Sequence, residues 1–245
     1  MLRVVSYNIH KGVQGLGPLR RLEIQNLAQA VRDLQADIVC LQEVRAFNRK
    51  EARWFAHWPV KAQTPYLAPP GYHWAYHTNA VTRHGEHGNA LLSRWPVLRV
   101  AHEDMSDHRF EQRGLLHAVL DAPGQPLHVL VLHLGLIRGS RARQAQQVLR
   151  YVAREVPADA PLLVAGDFND WGAATLRVLR QVQLKSWPQR VPTFPSRWPL
   201  AQLDHVLARG LHPVGLSAPR GAPWSTLSDH LPVVAEFAWP ARSLT

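Results

Sequence analysis

The sequence predicts an α/β fold built on mixed sheets, and three observations carry that expectation. Apolar runs of strand length alternate with segments of helical periodicity along the chain. Between residues 72 and 133 several strand-like runs follow one another with no room for crossover helices, which implies antiparallel pairing. No linker, internal repeat or low-complexity tract divides the 245 residues, so one domain over 1–245 is expected.

The first strand covers residues 2 to 8. A Gly-rich loop then leads to a helix from about Pro18 to Gln35, because Leu19, Leu22, Leu27, Ala30, Val31 and Leu34 approximate a 3.6-residue repeat. Residues 37 to 43 form the next strand, followed by a helix around Arg49 to His57 and a Pro-rich loop ending near Gly71. Strands are expected near 72 to 77, 88 to 93, 97 to 105, 113 to 121 and 127 to 133. A strong helix runs from Ser140, its expected N-cap, to Glu155. It turns Ala145, Val148, Leu149 and Val152 inward and Arg141, Arg143, Arg150 and Arg154 outward. The strand from Pro161 to Gly166 precedes a helix near Ala173 to Gln181. The segment SWPQRVPTFPSRWPL, with four prolines, excludes regular structure, and the last strands fall near 203 to 208 and 232 to 238.

Composition bounds the function. Hydrophobic content of 46% with 19% charged residues belongs to a globular chain rather than a disordered one. A net charge of +10 favours polyanionic partners such as nucleic acid or an anionic membrane surface. Of the 28 basic residues only four are lysine, a skew that a GC-rich coding sequence produces without selection for a ligand. The single cysteine, Cys40, lies in the apolar run DIVCLQ and forms no intramolecular disulfide. No run reaches the ~18 apolar residues of a membrane span. Strand residues begin at Leu2 with no basic-then-apolar leader before them, so a reducing, cytoplasmic setting is expected, with peripheral membrane contact as an alternative.

The polar residues at strand ends carry the chemistry. Asn8, Glu43, His133 and Asp167 close apolar runs, and Asn169 follows in GDFND. Asp204 opens a run, as does Asp229 with His230. In a mixed sheet the end of one strand lies beside the start of an antiparallel neighbour, so all of these can share one rim. Each has a bland alternative: Asp167 and Asn169 as turn formers, Glu43 as a solvated strand end, His133 as a core histidine, Asp204 as an ion-pair partner, and Asp229 with His230 as a cap. Oxygen ligands beside histidines suggest hydrolysis assisted by a hard metal.

The ordered blocks SYNIHKG, LQEV, GNALLSRWP, VLHL, GDFND, LDHV and SDHLPVVAEF resemble the signature blocks of the endonuclease/exonuclease/phosphatase superfamily, the DNase-I-like fold, from Val5 to Phe237. The mixture is similar to a bacterial subgroup with the YNIHKG opening. The resemblance implies a four-layer α/β sandwich of two mixed sheets flanked by helices. It implies an Mg2+-dependent phosphoesterase, a phosphodiesterase by preference, with Mn2+ as substitute. Glu43 matches the principal metal ligand, Asn8 stands beside it, and Asp229 is a further ligand. Asp167 matches the group that orients or deprotonates the attacking water, and Asn169 the amide donor to transition-state oxygens. His230 matches the catalytic histidine, Asp204 the carboxylate that fixes its tautomer, and His133 a group that binds phosphate or protonates the leaving oxygen. His10 stands where repair nucleases have an acid, with Lys11 after it, which argues against a well-formed second metal site.

Substrate recognition is expected from His10, Lys11 and Asn89, and from Trp187, Arg197 and Trp198 of the Pro-rich loop, whose aromatics and arginines suit base stacking or a membrane interface. The alternative is that these aromatics pack the loop onto the body. A nonspecific DNA or RNA endonuclease and a phospholipid or sphingomyelinase-like phosphodiesterase both fit; a catalytically silent binding module fits less well, because the core groups are all present. A monomer is expected.

Overall fold

The computed structural model describes residues 1–172 and 174–240. In chain order the elements are β1 (Leu2–Asn8), β2 (Val13–Gln14), β3 (Arg21–Leu22), α1 (Ile24–Asp33), β4 (Ile38–Val44), α2 (Arg49–Trp54), α3 (Gln63–Leu67), β5 (His73–Thr82), β6 (Gly85–Ser93) and β7 (Val97–Asp104). They continue as β8 (Gly114–Leu120), β9 (Leu127–His133), α4 (Arg138–Glu155), β10 (Leu162–Asp167), α5 (Ala174–Leu179), β11 (Asp204–Arg209), β12 (His212–Ser217), α6 (Trp224–Leu227) and β13 (Val233–Ala238).

Two sheets carry the fold, one in the order β12-β13-β1-β4-β6-β5 and the other β11-β10-β9-β8-β7. Each contains one parallel pair, β1 with β4 and β9 with β10, flanked by antiparallel neighbours. The central strands of both sheets are covered on both faces. Val4, Ile38, Leu116, Val131, Ala165 and Phe237 meet between the sheets. Ile24, Leu27 and Val31 of α1 and Leu67 of α3 cover Val5, Val39 and Leu41 of the first sheet. Val148 and Val152 of α4 and Leu179 of α5 cover Leu130, Leu132 and Val164 of the second. The result is the expected order of helix, sheet, sheet, helix. Double-sided burial also explains why the central strands are continuous apolar runs rather than alternating ones. Truncating one of these leucines to alanine costs about 2–5 kcal/mol, because the close-packed neighbours collapse only in part.

Several elements depart from the sequence expectation. Helix α1 begins at Ile24, not near Pro18, because residues 13–22 form the β2–β3 hairpin and a 3-10 turn at Gly17–Leu19. Leu19, expected on the buried face, is 79% exposed. Gly15 makes this turn possible: its φ is +88°, and a Cβ there would lie 2.5 Å from the carbonyl oxygen of Leu19. Ser140 is not the N-cap of α4, which starts at Arg138; its hydroxyl donates instead to Asp107 Oδ2 at 2.6 Å. Arg141 is buried rather than outward, and its guanidinium donates to the carbonyls of Gly135 and Leu136. Ala173, the expected start of the next helix, lies outside the described residues. Strand β12 was not foreseen: HPVGLS carries a proline and a glycine, which an edge strand tolerates and a sequence pattern hides. No helix among the described residues is long and apolar enough to cross a membrane.

Candidate active site

The site is built by strand register. Asp167 pairs directly with His133 on the parallel strand β9 and with Asp204 on the antiparallel strand β11, so three functional side chains stand abreast at one rim. They share parity with Val131, Ala165 and Val206, which point into the core between the sheets, so they face the opposite sheet. Gly166 permits the approach, since a Cβ there would stand 1.9 Å from the Leu132 carbonyl oxygen. From the other sheet Asn8, last residue of β1, donates Nδ2–H to Asp167 Oδ2 at 3.0 Å. The Asn169 backbone N–H donates to Asp167 Oδ1 at 2.9 Å, and its side-chain amide donates to the Leu134 carbonyl.

His230 completes the cluster. Its Nδ1 lies 2.8 Å from Asp204 Oδ2, which also accepts a hydrogen bond from Thr193 Oγ1 at 2.6 Å. Its Nε2 stands 3.6 Å from Asp167 Oδ2, and His133 Nε2 stands 3.6 Å from the same oxygen. The two histidines differ in protonation. Burial disfavours charge on both, but the facing carboxylates of Asp204 and Asp167 push His230 up to about 10. Burial, reinforced by the Arg113 charge, pushes His133 down to about 4. Burial raises Asp167 above the usual carboxylate range. At neutral pH an imidazolium and a neutral imidazole therefore flank one buried carboxyl.

Glu43 reaches the site through backbone distortion. In β4 the alternation sends Ile38 and Cys40 to the core between the sheets and Val39 and Leu41 under the outer helices. A bulge between Leu41 and Val44, with Glu43 at φ +58°, breaks that alternation. Burial opposes ionisation of Glu43, but His133, in the charged form it takes at low pH, together with Lys11 and His10 outweighs it and holds the carboxyl well below the usual range. Of six non-glycine residues at positive φ among the described residues, four are His10, Lys11, Glu43 and Asn169. Such backbone clusters at functional sites because the surrounding structure must hold it.

The donor set fits a hard divalent cation. Lys11 Nζ lies 2.8 Å from Glu43 Oε2, and His10 Nδ1 lies 3.9 Å from Asp229 Oδ1, so both carboxylates already face cationic or titratable groups of one turn. Two carboxylates and the Asn8 carboxamide supply the oxygen chemistry that magnesium takes. Asp167, Asp204 and His230 also offer ligand atoms within 4.8 Å of one another. That group fits an ion less well, because His230 is protonated and Asp204 Oδ2 already accepts two hydrogen bonds.

Two expected substrate groups stand elsewhere. Asn89 is fully buried, and its amide donates to the carbonyls of Gly114 and Val131, clamping one sheet to the other. Trp187 packs on Phe237 with ring centroids 5.0 Å apart, against the core between the sheets, where an apolar surface outcompetes the solvent-facing cleft for an indole. Arg197 and Trp198 are exposed beside Asp229. Sequence reasoning missed Thr193 as a partner of Asp204, and also Ser228, whose hydroxyl donates to the Asn8 carbonyl at 2.6 Å. Phe194, an aromatic of the Pro-rich loop, lies against His230 with ring centroids 4.9 Å apart. The TFP triplet ahead of Asp204 was the available signal.

Comparisons with known proteins identify the family and the fold. A model of the Endonuclease/Exonuclease/phosphatase family matches residues 5–230. YbhP of Escherichia coli strain K12 is 36% identical over 247 residues, covering 96% of this chain and 95% of YbhP. An endonuclease/exonuclease/phosphatase from Beutenbergia cavernae superposes with a TM-score of 0.75 at 22% identity, over 97% of this chain and 71% of that one. The mannosyl-6-phosphatase Bt3783 of Bacteroides thetaiotaomicron gives 0.70 at 19% identity, over 98% of this chain and 100% of that one.

Proposed function

Because the chain belongs to the Endonuclease/Exonuclease/phosphatase family, hydrolases of phosphate esters, we propose that it is a metal-dependent phosphodiesterase that hydrolyses a P–O bond by in-line attack of water. The observation that supports this reading best is the register of His133, Asp167 and Asp204 across three adjacent strands, with His230 seated on Asp204. Magnesium, or manganese in its place, held by Glu43, Asn8 and Asp229 would supply Lewis-acid polarisation of a phosphoryl oxygen.

The chain's own groups supply the rest. Asp167, oriented by Asn8 and the Asn169 backbone, takes the proton of the attacking water as its oxygen bonds to phosphorus. His230 starts protonated and gives its Nε2 proton to the departing oxygen as the old P–O bond breaks. Asp204 and Thr193 keep the imidazole in place through this exchange. His133, neutral, contacts a phosphoryl oxygen by hydrogen bond without adding charge.

The test is a Mg2+-dependent panel on bis-p-nitrophenyl phosphate and p-nitrophenyl phosphate with wild type, Glu43→Ala and Asp167→Asn. Diester turnover that disappears with EDTA and in both variants is expected. Turnover that survives EDTA and both substitutions would overturn the reading.

A further inference from the structure

The loops around the site carry exposed apolar side chains. Leu16 and Leu19, on the loop after Asn8, are 87% and 79% exposed. Leu136 and Ile137 follow His133, Trp171 follows Asn169, and Trp198 precedes Asp204, all more than half exposed. Exposed apolar side chains also occur singly elsewhere on the surface, but Leu16, Leu19 and Trp198 come together in one place, and exposed apolar groups gathered in this way mark an interaction site. Leu16, Leu19 and Trp198 line a groove of about 850 Å³ that also contains Asp229, so it opens at the candidate metal site. The groove's charges are Arg20, Arg21 and Arg197 against the single carboxylate of Asp229. Arg20 and Arg21 pair with Glu51 and Glu23, while Arg197 has no ion pair among the described residues.

We propose that this collar seats the protein on an anionic phospholipid surface, with Leu16, Leu19 and Trp198 entering the apolar boundary, and that the phosphodiester presented to the site is a lipid headgroup. The inference rests on the phosphodiesterase reading for the second part only. Charge complementarity selects the anionic surface: the net charge is +10, and Arg197, without an ion pair among the described residues, borders the groove beside Trp198. The shape of the apolar groups selects hydrocarbon over nucleobases. Single-strand grooves present aromatic faces for stacking, whereas four of this collar's six exposed residues are leucine or isoleucine, which bury in acyl chains and do not stack. Trp171 and Trp198 suit the headgroup level, where an amphipathic indole is favoured.

The experiment is cosedimentation with vesicles of phosphatidylcholine alone and of phosphatidylcholine with phosphatidylglycerol, on wild type, the Leu16→Ser/Leu19→Ser pair and His230→Ala. The same preparations are assayed on soluble bis-p-nitrophenyl phosphate and on the vesicle lipids. Binding to the anionic vesicles, weakened about tenfold or more in the serine pair and retained by His230→Ala, is expected, since the pair removes two of the three apolar side chains that enter the boundary. Release of lipid headgroup phosphate by wild type and not by His230→Ala would place the substrate in the bilayer. No vesicle binding, binding indifferent to the serine pair, or binding fully displaced by a single-stranded oligonucleotide overturns the proposal. Soluble-diester turnover without vesicle binding sinks this inference alone, and vesicle binding without any turnover sinks the phosphodiesterase reading instead.

Discussion

Asp204 holds His230 by Nδ1 at 2.8 Å, and the same carboxylate oxygen accepts the Thr193 hydroxyl at 2.6 Å. The carboxylate is fully buried, so it has no water to share and its charge is spent on the imidazolium. This fixes the ring orientation and aims Nε2 toward Asp167, 3.6 Å away.

Asp204→Asn should keep the shape of the site while removing the charge that raises His230. The His230 titration, followed by NMR of its ring nitrogens, should fall from about 10 to near or below the ordinary ~6.5. Diester turnover should fall about 10²–10⁴-fold. An unchanged titration would show that Asp204 does not set the proton on His230.

Lys11 occupies the cationic place beside Glu43, so Lys11→Ala should tighten Mg2+ binding by roughly three- to tenfold, read by isothermal titration calorimetry. Glu43→Gln should remove most of that binding. A Lys11→Ala protein with weaker Mg2+ affinity would mean that the lysine organises the site rather than competing for it.

Stability should depend on pH with opposite signs for two groups of histidines. His117, His133 and His205 are buried and pushed down to about 4, so the unfolded chain binds their protons first as pH drops below ~6.5. Stability should therefore decline from about pH 6.5 to 4, by at most roughly 3 kcal/mol per group, in urea titrations at stepped pH. His230 acts the other way: its folded value is raised, so its contribution is present below ~6.5 and lost as pH rises through about 10. A flat profile between pH 4 and 6.5 would contradict the neutral, buried state of the first three.

Asn89→Ala should lower stability by about 1–3 kcal/mol and leave KM unchanged, because its amide satisfies two buried carbonyls and does not face the cleft. Thermal melting beside diester kinetics separates the outcomes. A raised KM at unchanged Tm would return Asn89 to the substrate-binding group.

The sequence by itself determined the mixed α/β class, the main strands and helices, and most of the cluster. Strands buried on both faces must be continuously apolar, and α1 and α4 must repeat their apolar residues near every 3.6 positions, so these signals are local and survive in the one-dimensional chain. Asn8, His133, Asp167 and Asp204 were legible because each interrupts or ends such a run. Tertiary structure alone decided their pairing. Which strand lies beside β10, and in which register, sets Asp167 opposite both His133 and Asp204, and register is a contact between segments that the sequence stores nowhere locally. Only the folded chain could send Trp187 to Phe237 and Asn89 to the seam between the sheets, since their fates depend on the surfaces that happen to face them. The same holds for charge: His133 and His230 are the same residue type, and their opposite protonation comes from burial and the carboxylates that folding places around each.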